Sequence, residues 1–312
     1  MKLQTLENSI IVLGALNMDL IMDLDQPAKP GETIVGHRFY TAPGGKGGNQ
    51  AVAAARVSKK NSVVFLGLIG ADIYGKELKS YLHKENINTE NIITDPKNDS
   101  GIAIIFTDKN GENYVNAVYG VNEKKENLIV ESFKKNLDKT KVLITQNEMN
   151  QSITEECMNL AKKNNIKIIL DPAPYRKSLT NEYFSIADII TPNETEAEYM
   201  TGIKIKSIDD AKIAANKIIK KDINSCIITL GENGAFLMTQ NKEKYFPPHQ
   251  VDKVEASVGA GDAFTGILGA SLSSGIDLEE AIEIAIVGSA LSTTKSGAQE
   301  SMPYYEDILK FL

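Results

Sequence analysis

Gly259-Ala260-Gly261-Asp262 stands directly before an apolar, helix-compatible run at 263–272. Paired glycines let a backbone turn so that successive N–H groups converge on an anion at a helix N-terminus. A carboxylate is repelled by a phosphate, so Asp262 beside such a cradle suits a proton acceptor better than a phosphate ligand. An anion cradle with one base beside it is what phosphoryl transfer to an alcohol requires. A plainer reading stays open, in which Asp262 only caps a helix after a tight turn.

Gly44-Gly45-Lys46-Gly47-Gly48-Asn49 precedes an Ala-rich helical stretch. Its bare backbone permits close approach of a small polar ligand, and Lys46 and Asn49 supply donors. No Walker loop is present, and Phe264 stands where a dinucleotide fingerprint needs its third glycine. Asn17 and Asp19 follow the first strand, and Glu148 ends another. In open α/β sheets ligands bind beyond the carboxyl ends of strands, and carboxylates with amides there suit vicinal hydroxyls. Thr191-Pro192-Asn193-Glu194-Thr195-Glu196 leaves a strand and opens a helix, so its residues serve either as caps or, with Asn193 beside phosphates, as a magnesium site. Gly231-Glu232-Asn233-Gly234, after Thr229, reads as a hairpin turn or as a nucleotide contact. His37, His83 and His249 lack metal-ligand spacing and read as surface or packing residues.

The elements that must position these groups follow a strand–helix rhythm. Short apolar runs at 10–13, 63–69, 142–145, 166–170, 187–191 and 226–230 read as buried parallel strands. Helix-length stretches at 50–60, 153–163, 208–220, 262–272 and 278–294 alternate with or follow them, which predicts an α/β, doubly wound, mostly parallel sheet. Residues 20–40 and 101–119 break the rhythm with β-like alternation, the second around an Asn110-Gly111 hairpin signal. They predict a small separate sheet, a lid that excludes water from a transfer reaction.

The chain has 312 residues, 42% hydrophobic and 24% charged, enough for one large core with a small appended domain. Its net charge of −7 is spread out, with no basic cluster interleaved with aromatics, so neither nucleic acid nor an anionic membrane is an expected partner. Cys157 and Cys226 form no Cys-x-x-Cys pair and read as inert core thiols. The apolar run at 10–16 is too short to span a bilayer, and a soluble, cytoplasmic protein is expected.

Asn17-Met18-Asp19, Pro30-Gly31-Glu32-Thr33, Gly44 to Asn49, Asn193 to Glu196 and Gly259 to Asp262, in that order, resemble the ribokinase family of carbohydrate kinases over essentially the whole chain. The resemblance implies a three-layer α/β/α domain with a small β-sheet lid, ATP as phosphoryl donor and D-ribose as acceptor. It divides the chain into a main domain of residues 1–16, 43–99 and 120–312 and a lid of residues 17–42 and 100–119. By the same resemblance Asp262 removes the proton of the ribose 5-hydroxyl, while Gly259, Ala260 and Gly261 present amides to the transferring group. Asn17, Asp19, Gly45, Lys46, Asn49 and Glu148 match sugar-binding positions; Asn193, Thr229, Gly231 and Gly234 match positions around the nucleotide. Glu196 is implied to hold Mg²⁺ through water. Val258, Ser292, Gly297 and Ser301 are implied to surround a monovalent cation, K⁺, and a homodimer through the lids is implied as well.

One stretch departs from the family pattern of Val-Asp-Thr before the Gly-rich cradle. Here Val254-Glu255-Ala256-Ser257-Val258 puts Ala256 at the usual Asp by direct counting, or Glu255 there if one residue is inserted. Potassium activation that survives but is weakened is the expectation. Two rivals stay open: a sibling kinase for a nucleoside or another sugar, and a sugar-binding regulator that has lost catalysis.

Overall fold

Apolar runs that bury both faces build the central sheet. In β1 (Ile10–Leu13), Ile10 and Val12 enter one buried cluster while Ile11 and Leu13 enter the other. Successive strand side chains point to opposite faces, so a strand covered on both sides must be apolar throughout. The structure is a computed structural model, and it describes residues 3–5 and 7–312.

After β1 come β2 (Asn17–Asp23), β3 (Arg38–Gly44), α1 (Lys46–Val57), β4 (Val63–Gly70), α2 (Ile73–Lys84) and β5 (Ile92–Asp95). Next are β6 (Gly101–Thr107), β7 (Asn113–Val118), α3 (Asn127–Asn136), β8 (Val142–Thr145), α4 (Gln151–Lys163) and β9 (Lys167–Leu170). The chain continues through α5 (Asn181–Phe184), β10 (Ile189–Ile190), α6 (Glu194–Thr201), α7 (Ile208–Ile219) and β11 (Ser225–Thr229). It closes with β12 (Ala235–Thr239), β13 (Glu243–Phe246), α8 (Ala260–Ser273), α9 (Leu278–Ser292) and α10 (Tyr305–Ile308).

The main sheet has nine strands in the order β13-β12-β11-β10-β9-β8-β1-β4-β5. From β5 to β11 the pairings are parallel; β12 and β13 add on antiparallel. Helices α1, α2, α8, α9 and α10 contribute to one buried cluster, and α3 to α7 contribute to the other, giving the expected three layers. Strand order runs outward from β1 through β4 to β5, and then outward from β8 to β13. That reversal leaves a crevice between the carboxyl ends of β1 and β8, where open α/β sheets bind ligands.

A separate four-stranded sheet has the order β3-β2-β6-β7. It corresponds to the predicted lid segments, with β6 and β7 flanking the Asn110-Gly111 turn. Asn17 and Asp19, which follow the first strand as expected, open β2, where Asn17 pairs with Gly44 and Asp19 with Ala42.

Helix α1 differs from the expected bounds. It begins at Lys46, not near Gln50, so Lys46-Gly47-Gly48-Asn49 form its first turn rather than a loop. Gly45 caps it at φ 85°, a conformation that a side chain would strain. Small residues then bring α1 against α8: a Cβ at Gly266 would stand 2.4 Å from the Gln50 carbonyl. This close approach decides where Asp262, one turn earlier on α8, meets α1. The far end of α1 is pinned by Arg56, which grips Glu85 through two nitrogens and donates to the Glu300 and Met302 carbonyls. Among the described residues, no helix is long and apolar enough to cross a membrane.

Candidate active site

Asp262 sits in the first turn of α8, after Gly259 at φ 81°. Its two carboxylate oxygens accept hydrogen bonds from α1: Oδ2 from Asn49 Nδ2 at 2.8 Å, and Oδ1 from Gln50 Nε2 at 2.9 Å. Gln50 Nε2 also donates to Asp171 Oδ2 at 2.8 Å, and Gln50 Oε1 accepts from Gln146 Nε2 at 2.6 Å. Lys46 Nζ lies 3.9 Å from Asp171 and 4.0 Å from Asp262. The Lys46 backbone N–H donates to Glu148 Oε2 at 2.8 Å. Bonds to both oxygens fix the orientation of the Asp262 carboxylate before a ligand arrives.

Several acids share this buried space. Burial, then the charges of Glu148 and Asp262, push Asp19 up to about 7. Burial pushes Glu148 upward against the pull of the Lys46 ammonium and its N–H. Asp171 is raised well above the usual carboxylate range by burial, with Lys46 opposing. Burial alone would lower Lys46, but Asp262, Asp171, Glu148 and Glu196 outweigh it, and the ammonium is held charged. One cation thus stabilises four acids that water scarcely screens.

Of the sugar-side residues, Asn17, Asn49 and Glu148 are buried, and the Asp19 carboxylate lies against Gly44. Glu148 and Asp262 act electrostatically on both Asp19 and Lys46, so the structure brings these four residues together around one pocket. Nothing in the sequence pattern marks Gln50 or Asp171 as site residues. β8 ends at Thr145, so Glu148 lies three residues beyond the strand it was expected to end, whereas Asp171 directly follows β9, level with Gln146.

On the other side of Asp262 lies a cleft of about 660 Å³. Asn193, Thr229, Gly231, Gly234, Ala260 and Gly261 line it, together with the apolar Val251, Val254, Phe264 and Ile286. Gly231–Asn233 is a single turn joining antiparallel β11 and β12, so it is a hairpin that also lines the cleft. His249 lines it too, its ring edge-on to Phe311 at 4.8 Å. Asn193 caps α6: its Oδ1 accepts from the Glu196 N–H, and its own N–H donates to Glu196 Oε2. Capping and cleft lining therefore coexist at Asn193. Glu196 is buried within the electrostatic reach of Lys46 and Asp262, and burial raises it.

The cradle differs from expectation in one respect. The Ala260 N–H donates to the Ser257 carbonyl at 3.3 Å, because a tight turn closes before α8 begins. A cradle of three free amides is thereby reduced by one. Ser292 and Ser301 donate their hydroxyls to the Ser289 and Ala298 carbonyls, Gly297 adopts φ 92°, and Val258 is half exposed. Gly259 faces this segment, with Ala298 3.4 Å from where its Cβ would stand. Both Glu255 and Ala256 donate N–H groups to the Thr293 carbonyl. The Glu255 carboxylate turns to Lys253 at 2.8 Å and to the Ser296 hydroxyl at 3.4 Å, at the surface. Its ion pair with Lys253 and the Ser296 hydrogen bond hold it below its ordinary value.

A doubly wound domain whose helix-start cradle adjoins both a polar, lid-side pocket and a nucleotide-sized cleft has the architecture of a small-molecule kinase. Residues 7–304 match the pfkB family of carbohydrate kinases, and the chain belongs to that family. It is 36% identical over 307 residues to a ribokinase of Haemophilus influenzae, covering 98% of this chain and 99% of that one. It is 34% identical to a deoxyribokinase of Salmonella typhi, over 97% of this chain and 98% of the relative. The fold matches the Arabidopsis thaliana ribokinase complexed with ribose and ATP at a TM-score of 0.91 and 26% identity, covering 98% of both chains.

Proposed function

We propose that the chain transfers the γ-phosphoryl group of ATP to the 5-hydroxyl of D-ribose, giving ribose 5-phosphate and ADP. The observation that carries this reading is the position of Asp262, bonded to Asn49 and Gln50 on the pocket side while Ala260 and Gly261 line the cleft. Asp262 takes the hydroxyl proton as the sugar oxygen bonds to the γ-phosphorus, and the bond from that phosphorus to the ADP oxygen breaks. Asn17, Asp19, Gly45, Lys46, Asn49 and Glu148 hold the sugar. Gly259, Ala260 and Gly261 border the transferring group, and Lys46 offsets negative charge near Asp262. Asn193, Thr229, Gly231 and Gly234 border the nucleotide.

Among the described residues no group of three or more His, Cys, Asp or Glu is placed to hold a metal. A single buried carboxylate suits a magnesium ion that keeps its waters and binds chiefly to phosphate oxygens, and Glu196 is that carboxylate. When bound, magnesium neutralises triphosphate charge. Carbonyl and hydroxyl oxygens at Val258, Ser292, Gly297 and Ser301 suit a large monovalent cation, K⁺, while the Glu255 carboxylate is turned to Lys253 and Ser296.

The lid closes over the sugar in this reading, and ribose slows amide hydrogen exchange in both lid segments. Phe39 and Val118 are exposed on one face of the small sheet, an apolar surface that fits a homodimer. The activity belongs in the cytoplasm, where ATP is held. ATP consumption measured across pentoses, hexoses and nucleosides tests the proposal. Ribose as the best acceptor supports it; a nucleoside or hexose as the best acceptor overturns the substrate assignment.

A further inference from the structure

Asn122 lies in the turn that leads out of β7, and it is fully buried. Its Nδ2 donates twice, to the Leu16 carbonyl and to Asn17 Oδ1, both at 3.1 Å. The Leu16 carbonyl can only accept, so the Asn122 amide must turn its NH₂ that way. Rotating it would set Oδ1 against the Leu16 carbonyl, acceptor against acceptor. The second hydrogen of the same NH₂ then requires an acceptor on Asn17, which fixes the Asn17 amide as well. Asn17 Nδ2 makes no hydrogen bond among the described residues.

Two further features hold this amide pair in place. A Cβ at Gly101 would stand 2.1 Å from Asn17 Oδ1 and 2.5 Å from Asn122 Nδ2, so a glycine leaves the pair its room. The Asn122 carbonyl accepts from the Asn150 N–H at 2.9 Å, tying the turn to the segment just after Glu148. Asn122 therefore joins the start of the first lid strand to the sugar-side loop without reaching the sugar itself.

We propose that Asn122 is a positioning residue that sets the polarity of Asn17, so that Asn17 meets the acceptor sugar as a hydrogen-bond donor. Asp19 and Glu148 are acceptors when charged, so Asn17 adds the complementary group to the pocket. A sugar hydroxyl whose hydrogen goes to a carboxylate offers its oxygen to Asn17. This inference rests on the reading that Asn17 belongs to the sugar pocket.

The test is a double-mutant cycle in ribose KM with the full chain: Asn17→Ala, Asn122→Ala and both together, with Asn17→Asp beside them. Asn122→Ala is expected to raise ribose KM by about tenfold and to leave ATP KM within about threefold. The double variant should match Asn17→Ala, because Asn122 acts through Asn17. Effects that multiply, or an unchanged ribose KM in folded Asn122→Ala, overturn the inference. Asn17→Asp can still accept from Asn122 but presents an oxygen in place of the NH₂. It decides the matter if Asn122→Ala fails to fold: a ribose KM about tenfold higher supports the inference, and an unchanged one overturns it. Wild-type protein that does not phosphorylate ribose signals instead that the substrate assignment has failed, and the same cycle is then read with the best acceptor from the panel.

Discussion

The pocket around Asp262 and the loop around Glu255 are near neighbours in sequence but are built in opposite ways. Around Asp262, two amides and a lysine of α1 meet the start of α8, and Asp171, Glu148 and Glu196 surround the same lysine. Around Glu255 the side chain faces solvent, and two backbone N–H groups to Thr293 hold the loop. Charges in the first region are scarcely screened, so each substitution there acts on the others. The exposed Lys253–Glu255 pair is screened by water and adds little to stability. Under the proposed function the chemistry belongs to the buried region, and modulation by a cation belongs to the exposed loop.

The largest effect that can break this contrast is at Asp262. Asp262→Asn keeps the side chain's size but removes the base and leaves one acceptor where Asn49 and Gln50 now meet two, and kcat should fall by roughly 10²–10⁴-fold in steady-state assays. Near-normal turnover in the folded variant would remove Asp262 from the chemistry. Glu148→Gln comes next, with ribose KM rising by about tenfold and ATP KM staying within about threefold, as expected for one altered hydrogen-bonding group. A calorimetric titration in which ATP binding suffers instead would place Glu148 on the wrong side of the site.

A smaller effect sharpens the electrostatic half of the comparison. The folded chain holds the Asp19 proton up to about pH 7, whereas the unfolded chain releases it near the ordinary value of 3.8. Between those values the folded state binds the extra proton, so stability falls as pH rises through this window and the loss is complete above about 7. Thermal unfolding from pH 5 to pH 8 should show this decline, and Asp19→Asn should reduce it by roughly 2–4 °C. An identical decline in both proteins would mean that Asp19 is not strained by its neighbours. The smallest effect is at the exposed loop: Glu255→Gln should change potassium activation by less than about twofold, since the carboxylate is already paired with Lys253. Rates in potassium, caesium and sodium at matched ionic strength check it, and a complete loss of activation would show that Glu255 reaches the cation.

The same contrast explains what could be read in advance. Strands such as β1 and β8 and helices such as α4 and α7 announce themselves through apolar pattern and caps. The start of α1 does not, because Gly47 and Gly48 are poor helix formers and that turn is held by tertiary packing. Asp171, one residue past β9, follows an apolar run as any turn residue does, and only the fold sets it against Gln50 and Lys46. Gln50 reads as an ordinary helix-interior residue, and only the approach of α1 to α8 gives it two acids to bridge. Counting could not choose between Glu255 and Ala256. Both backbone N–H groups meet Thr293, and only Glu255 has a side chain that reaches Ser296.

Phosphorus and proton NMR of the product formed from ATP and D-ribose tests the account most directly. The account predicts ADP and ribose 5-phosphate in equal amounts, with the new phosphorus coupled to the C5 protons. Phosphate on the anomeric carbon, or ATP hydrolysis that proceeds equally well without ribose, would contradict it.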